Sequence, residues 1–173
     1  MRAAALVLLV ALLPGLAGCG DDDDSSSEAP PTTTSPDSES EVESAYLAFW
    51  DMAQRLAESP NPDDPELIRR ASGEALTDLV AGLTALRDQG RRSELGPSYR
   101  HEVISTRLTG ATTAVVEDCA VDDSRIVEDA TGDVVVEGVG TELIEVTLIH
   151  EDESWLVDSI SQIDVWEGAV ACD

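Results

Sequence analysis

The chain has 173 residues, enough for one ordinary domain with accessories, and 42% of them are apolar, so a buried core is affordable. Its 36 acidic residues against 10 basic ones leave a formal charge of -26, a field that repels phosphate backbones and excludes nucleic acid as a partner. Self-repulsion of this kind keeps a protein soluble; the sharper alternative is a surface for cationic partners or calcium.

Residues 1–18 open with Met1-Arg2, whose arginine and amino terminus are positive, and continue as an apolar run from Ala3 to Leu13. That run is too short to span a hydrocarbon core of roughly 30 Å as a helix. Pro14-Gly15 then breaks it and presents Leu16-Ala17-Gly18-Cys19 in extended form, with small side chains before the cysteine. These four residues resemble the lipobox of bacterial lipoproteins at every position. The resemblance implies a signal peptide over 1–18 and a diacylglyceryl group on the thiol of Cys19. Two acyl chains suffice for stable anchoring. The expected location is the extracytoplasmic face of the cell membrane, with the membrane itself as a partner through the lipid.

Residues 19–41 are this cysteine followed by Gly, Asp, Ser, Thr, Pro and Glu with no large apolar side chain, a composition that reads as a disordered tether. A flexible coil over residues 20–41 reaches roughly 26 Å. Asp21 to Asp24 read as a solvated charge run, with a metal tract as the alternative.

The folded domain is expected over 42–173. Ser40 and Glu43 have capping-box spacing, and Val42, Tyr46, Phe49, Trp50, Ala53 and Leu56 follow at helical period until Ser59-Pro60. Asp64-Pro65 starts a second element, and Ser72 restarts a helix whose stripe is Leu76, Leu79, Val80, Leu83 and Leu86, stopped by Gly90. After Gly96-Pro97 the period becomes two. Strands are expected over Tyr99–Leu108, Thr112–Val121, Arg125–Val127, Val134–Val136, Thr141–His150 and Trp155–Trp166, with a turn over Asp129–Asp133. Helices first and antiparallel strands after argue for an α+β fold with helices covering one sheet face.

This order, the Asp118-Cys119 pair and the closing strand Trp155-Leu156-Val157-Asp158 resemble the nuclear transport factor two-like family, within the cystatin-like superfamily and its exported lipoproteins. The resemblance implies N-terminal helices packed in a strongly curved antiparallel sheet, a cone-like body with a pocket at its open end. Many such proteins are not enzymes. Others are isomerases, dehydratases or cyclases using a pocket Asp, His or Tyr, but their catalytic sets do not map onto this chain position by position. Sheets in this superfamily often pair face to face, which makes a homodimer a further expectation.

With Cys19 committed to lipid, Cys119 and Cys172 allow one pairing, and an exported domain lies where disulfides persist. A reactive thiol pair is the alternative, without CxxC spacing to support it. Only His101 and His150 exist, so no multi-histidine zinc site forms, and no metal or other cofactor is expected. By strand alternation His101 shares a face with Tyr99, Val103 and Ser105; lining a pocket, His101 and Tyr99 are a base and a hydrogen-bond donor, and otherwise they are inert strand residues. His150, next to Glu151 and Asp152, is expected to face solvent. Asp122-Asp123-Ser124 and Glu128-Asp129 read as turn and edge acids, calcium being the alternative. Asp118 and Asp158 fall in apolar strands, where a carboxylate needs a partner such as Arg100 or Arg107 or else serves as a pocket base. Tyr46, Phe49, Trp50, Trp155 and Trp166 make either an aromatic core or the walls of an apolar ligand cavity. The candidate pocket is therefore Tyr46, Trp50, Tyr99, His101 and Trp155, with no catalytic residue assigned. The expected function is non-enzymatic binding of a small apolar ligand or an envelope protein, against an isomerase or dehydratase, or a structural dimerisation module.

Overall fold

The computed structural model describes residues 36–172; the expected signal peptide, Cys19, Asp21 to Asp24 and the expected tether as far as residue 35 lie outside them. Three helices precede seven strands, α1 (Pro36–Glu58), α2 (Leu67–Arg70) and α3 (Gly73–Gln89), then β1 (Arg91–Leu95), β2 (Arg100–Leu108), β3 (Thr113–Asp122), β4 (Ser124–Glu128), β5 (Val134–Val136), β6 (Gly140–Glu151) and β7 (Ser154–Glu167). The fold is α+β with antiparallel pairing throughout its sheets.

Helix α1 buries the stripe its spacing foretells: Val42, Tyr46, Phe49, Ala53 and Leu56 all point into the core. Each such large apolar side chain contributes roughly 1.5–3 kcal/mol on leaving water. Its start differs from expectation. The helix begins at Pro36, a residue whose missing N–H costs nothing in a first turn, so Ser40 lies inside the helix. There its carbonyl accepts the Ser44 hydroxyl at 2.8 Å, and no capping box forms at Ser40. Asp64 does act locally, its Oδ1 accepting the Glu66 N–H at 2.8 Å, but α2 that follows is a single turn. Helix α3 runs from Gly73 to Gln89 and stops at Gly90, whose φ of 62° is the left-handed cap that glycine adopts without strain. Ser72 stands at the N-cap position of α3, where its hydroxyl donates to Asp158 Oδ1 at 3.0 Å and not to the helix.

The strands form two sheets where a single curved one is expected. One has four strands in the order β2-β3-β6-β7; the other has three, β1-β4-β5. Strand β1, Arg-Arg-Ser-Glu-Leu, has no alternating apolar pattern and so gives no strand signal. Its pairing with β4 carries ion pairs instead: Arg91 with Glu128 at 3.0 Å and Arg125 with Glu94 at 2.6 Å. Glu94, between Arg92 and Arg125, is held below the usual carboxylate range by their hydrogen bonds. The two sheets meet where β3 passes into β4: the Ser98 N–H donates to Asp123 Oδ2 at 2.8 Å, and Gly96 lies so close to the Asp123 carboxylate that a Cβ would collide with it. That link places Tyr99 at the head of β2. At the far end, β6 and β7 are joined through Asp152 and Glu153, both with positive φ (45° and 66°), the two-residue hairpin geometry that follows the sheet twist.

The inner face of the larger sheet carries Ala114, Val116, Ile144, Val146, Leu148 and Val157, packed against α1 and α3. On its other side Cys119 is bonded to Cys172, with Cα atoms 5.8 Å apart. The tail is held again by Thr141, fully buried, whose hydroxyl donates to Gly168 O at 2.8 Å and accepts from Val170 N–H at 3.0 Å.

Candidate ligand pocket

Tyr46, Trp50 and Gln54 stand at i, i+4 and i+8 on α1, and therefore on one face. That face lies over one end of the larger sheet, where the register lines up His101, Ala120 and Glu142 across β2, β3 and β6. The neighbouring inner row is Val103, Asp118 and Ile144. A small alanine between a histidine and a glutamate leaves room, and a cavity of about 150 Å³ opens above it. Ala120, Val121 and Ile144 form its floor; Trp50, Gln54, Tyr99 and His101 wall it, and Glu142 and the exposed Asp122 reach its rim.

Beneath the cavity runs a closed chain of hydrogen bonds. Asp118 is fully buried, and its Oδ2 accepts the Tyr46 hydroxyl at 2.6 Å and lies 2.6 Å from His101 Nδ1. His101 Nε2 lies 2.9 Å from the Tyr99 hydroxyl, which in turn accepts from Gln54 Nε2 at 2.8 Å. Nδ1–H donates to Asp118, which leaves Nε2 to share a hydrogen bond with the Tyr99 hydroxyl. Trp50 stacks on the imidazole with centroids 4.4 Å apart and planes 20° apart. Burial, then the hydrogen bond and charge of Asp118, push the Tyr46 phenol far above its ordinary range. Burial likewise pushes Tyr99 up to about 12, aided by the charges of Asp122, Asp118 and Asp51 and opposed by the Gln54 hydrogen bond. Both phenols therefore stay protonated at neutral pH and act as donors.

Four of the five residues expected in the pocket thus converge, Tyr46 behind it and Trp50, Tyr99 and His101 on its walls. Trp155 does not join them. It pairs with His150 beside the β6–β7 hairpin, at the other end of the strands from Glu142, with the two rings edge to face at 5.0 Å. Asp118 finds its partners in His101 and Tyr46 and not in an arginine: Arg107 pairs with Glu145 at 3.1 Å, and Arg100 donates to the Ser98 carbonyl at 3.3 Å. Asp158 lies apart, in the joint between Ser72 and β7. Ser105 shares no face with His101, because a bulge between Val103 and Ser105 turns it toward Glu117 on the opposite side. The acids considered for calcium serve turns and ion pairs: Asp122 Oδ1 accepts Ser124 N–H at 2.9 Å, and Asp129 pairs with Arg92 at 3.3 Å. Gln54, Ala120 and Glu142 go unnoticed in the sequence. Helical spacing from Trp50 points to Gln54, and alternation two residues before Ile144 points to Glu142.

No family model and no curated protein matches the chain. Among solved structures it is similar to the intermembrane space region of the chloroplast protein ARC6, at 14% identity and a TM-score of 0.57, over 72% of this chain and 95% of that one. A ketosteroid isomerase-like protein from Erwinia carotovora atroseptica follows at 16% identity and a TM-score of 0.49, over 75% of this chain and 99% of that one. A domain of unknown function with a cystatin-like fold from Nostoc punctiforme is similar at 13% identity and 0.43, over 76% and 78%. At these identities the likeness is one of fold alone: helices with antiparallel sheet, among neighbours that include ketosteroid isomerase-like and cystatin-like proteins.

Proposed function

We propose that the chain is an exported lipoprotein, anchored through Cys19 on the extracytoplasmic face of the cell membrane, whose cone-like domain binds a small ligand without transforming it. The anchoring half rests on Leu16-Ala17-Gly18-Cys19. The binding half rests on His101: both ring nitrogens are within hydrogen-bond reach of internal partners and Trp50 covers the ring, so this histidine is engaged as a fixed recognition group and not as a free base. A partly apolar cavity with a few converging polar groups is the usual form of a small-molecule site, and about 150 Å³ restricts the ligand to a small one. Native mass spectrometry of the full chain purified from its own membranes tests both halves at once. A diacylglyceryl mass on Cys19 and a co-purifying small molecule are expected. A Cys19→Ala variant that stays as firmly membrane-bound as the parent refutes the anchor.

A second reading, a pocket enzyme of isomerase or dehydratase type, draws on the same row. Asp118, His101 and Tyr99 form an unbroken hydrogen-bonded path from a buried carboxylate to the cavity, along which a proton can shift. Recovery of the co-purified molecule chemically changed after incubation with fresh protein, and unchanged with a His101→Ala variant, decides for that reading.

A further inference from the structure

The charges around the cavity name a ligand class. Two carboxylates, Asp122 and Glu142, line it, and no arginine does. Arginines elsewhere are drawn into ion pairs with other acids, Arg91 with Glu128 and Arg107 with Glu145 among them. Neither pocket carboxylate is in an ion pair among the described residues. Asp122 spends one oxygen on the Ser124 N–H, and Glu142 is half-buried with no hydrogen bond to its carboxylate from any described residue. Glu142 and Asp122 bring two negative charges to the cavity without a counter-charge among its lining, and a cation bound there supplies one.

The remaining walls suit a cation that is also apolar. Trp50, one indole face of which stacks on His101, and Tyr99 bring aromatic rings to the cavity, and aromatic rings attract ammonium groups, most when water is excluded. An anionic ligand would face Asp122 and Glu142 directly, and the chain's charge of -26 opposes its approach. Three carboxylates, Asp122, Asp118 and Asp51, also raise the Tyr99 phenol, an independent mark of negative potential at this wall. Cavities of about 150 Å³ hold molecules of roughly benzene size, so the ligand is small.

We propose that the pocket binds a small organic cation, a quaternary or alkylated ammonium group seated against Trp50 and Tyr99 and neutralised by Glu142 and Asp122. This rests on the reading of the cavity as a ligand site. The test titrates choline and its neutral isostere 3,3-dimethylbutan-1-ol into the full chain in detergent, by calorimetry and ligand-observed NMR. Choline is expected to bind at least about tenfold more tightly than the isostere. Glu142→Gln is expected to weaken choline by about fivefold to tenfold and leave the isostere unmoved. Asp122→Asn, at an exposed position, provides a second charge removal should Glu142→Gln fold poorly, with circular dichroism verifying each variant. Equal binding of both probes, insensitive to either variant, overturns the cation inference and leaves the ligand site standing. Recovery of a different, uncharged molecule from the native protein does the same. No binding of either probe together with no co-purifying molecule overturns both.

Discussion

Both tyrosines of the chain, Tyr46 and Tyr99, belong to the pocket network, so a tyrosinate titration of the folded protein reports on that network alone. Tyr99 is pushed up to about 12 and Tyr46 further, burial being the leading cause in each. An unperturbed phenol at about pH 11 is roughly 90% ionised, whereas one shifted to about 12 is roughly 10% ionised. The folded protein after a rapid jump to that pH is therefore expected to show only a small fraction of the tyrosinate absorbance of the same protein in denaturant. Linkage sets the direction for stability. The folded pKa values lie above the unfolded ones, so this contribution is complete below about pH 10 and is lost as pH climbs through about 12, where the unfolded chain releases its protons first. Urea midpoints measured across this range should stay level up to about pH 9 and then fall. A Tyr99→Phe variant leaves Tyr46 as the sole tyrosine, and tyrosinate absorbance should rise only together with loss of the far-ultraviolet dichroism. Ionisation of either tyrosine near pH 10 in a chain that remains folded would show that the phenols are not sealed behind Trp50 and Asp118, and the reasoning fails.

Tyr46→Phe removes a buried hydrogen bond to a carboxylate that keeps His101 as its other partner, and should lower stability by about 1.5–3 kcal/mol with an unchanged urea m-value; a loss below about 0.5 kcal/mol contradicts the geometry. Replacing Cys119 and Cys172 by Ala and Ser opens a loop with a sequence separation of 53, which in the chain-entropy account lowers stability by about 4 kcal/mol. Thermal unfolding with and without reductant checks this, and a parent protein indifferent to reductant rules the bridge out as a stabilising link.

Local periodicity carried much of the architecture. The stripe of α1, the stripe and Gly90 stop of α3, and the alternating strands from Tyr99 to Trp166 all arise from side chains a few residues apart, whose spacing follows from the geometry of one helix or strand. The resemblance to a lipobox likewise rests on four consecutive residues, Leu16-Ala17-Gly18-Cys19. The pairing of Cys119 with Cys172 was legible by elimination, since two cysteines remain once Cys19 is assigned.

Register and long-range pairing were decided elsewhere. Strand β1 is polar, so it exists because β4 supplies its hydrogen bonds and opposite charges, and a second sheet follows from that pairing. The bulge before Ser105 sends that residue to the far face, which strict alternation cannot foresee. Trp155 is as aromatic as Trp50, yet its place beside the hairpin keeps it out of the pocket. Tyr46 and Asp118 are 72 residues apart and meet only because α1 crosses the row of β3 that carries the aspartate. The sequence alone determined the helices, the apolar-patterned strands that follow Gly96-Pro97, and most of their apolar faces, because those depend on neighbours along the chain. Tertiary structure alone decided which polar groups meet at the pocket, because a hydrogen bond between distant residues depends on packing and register that no local pattern encodes.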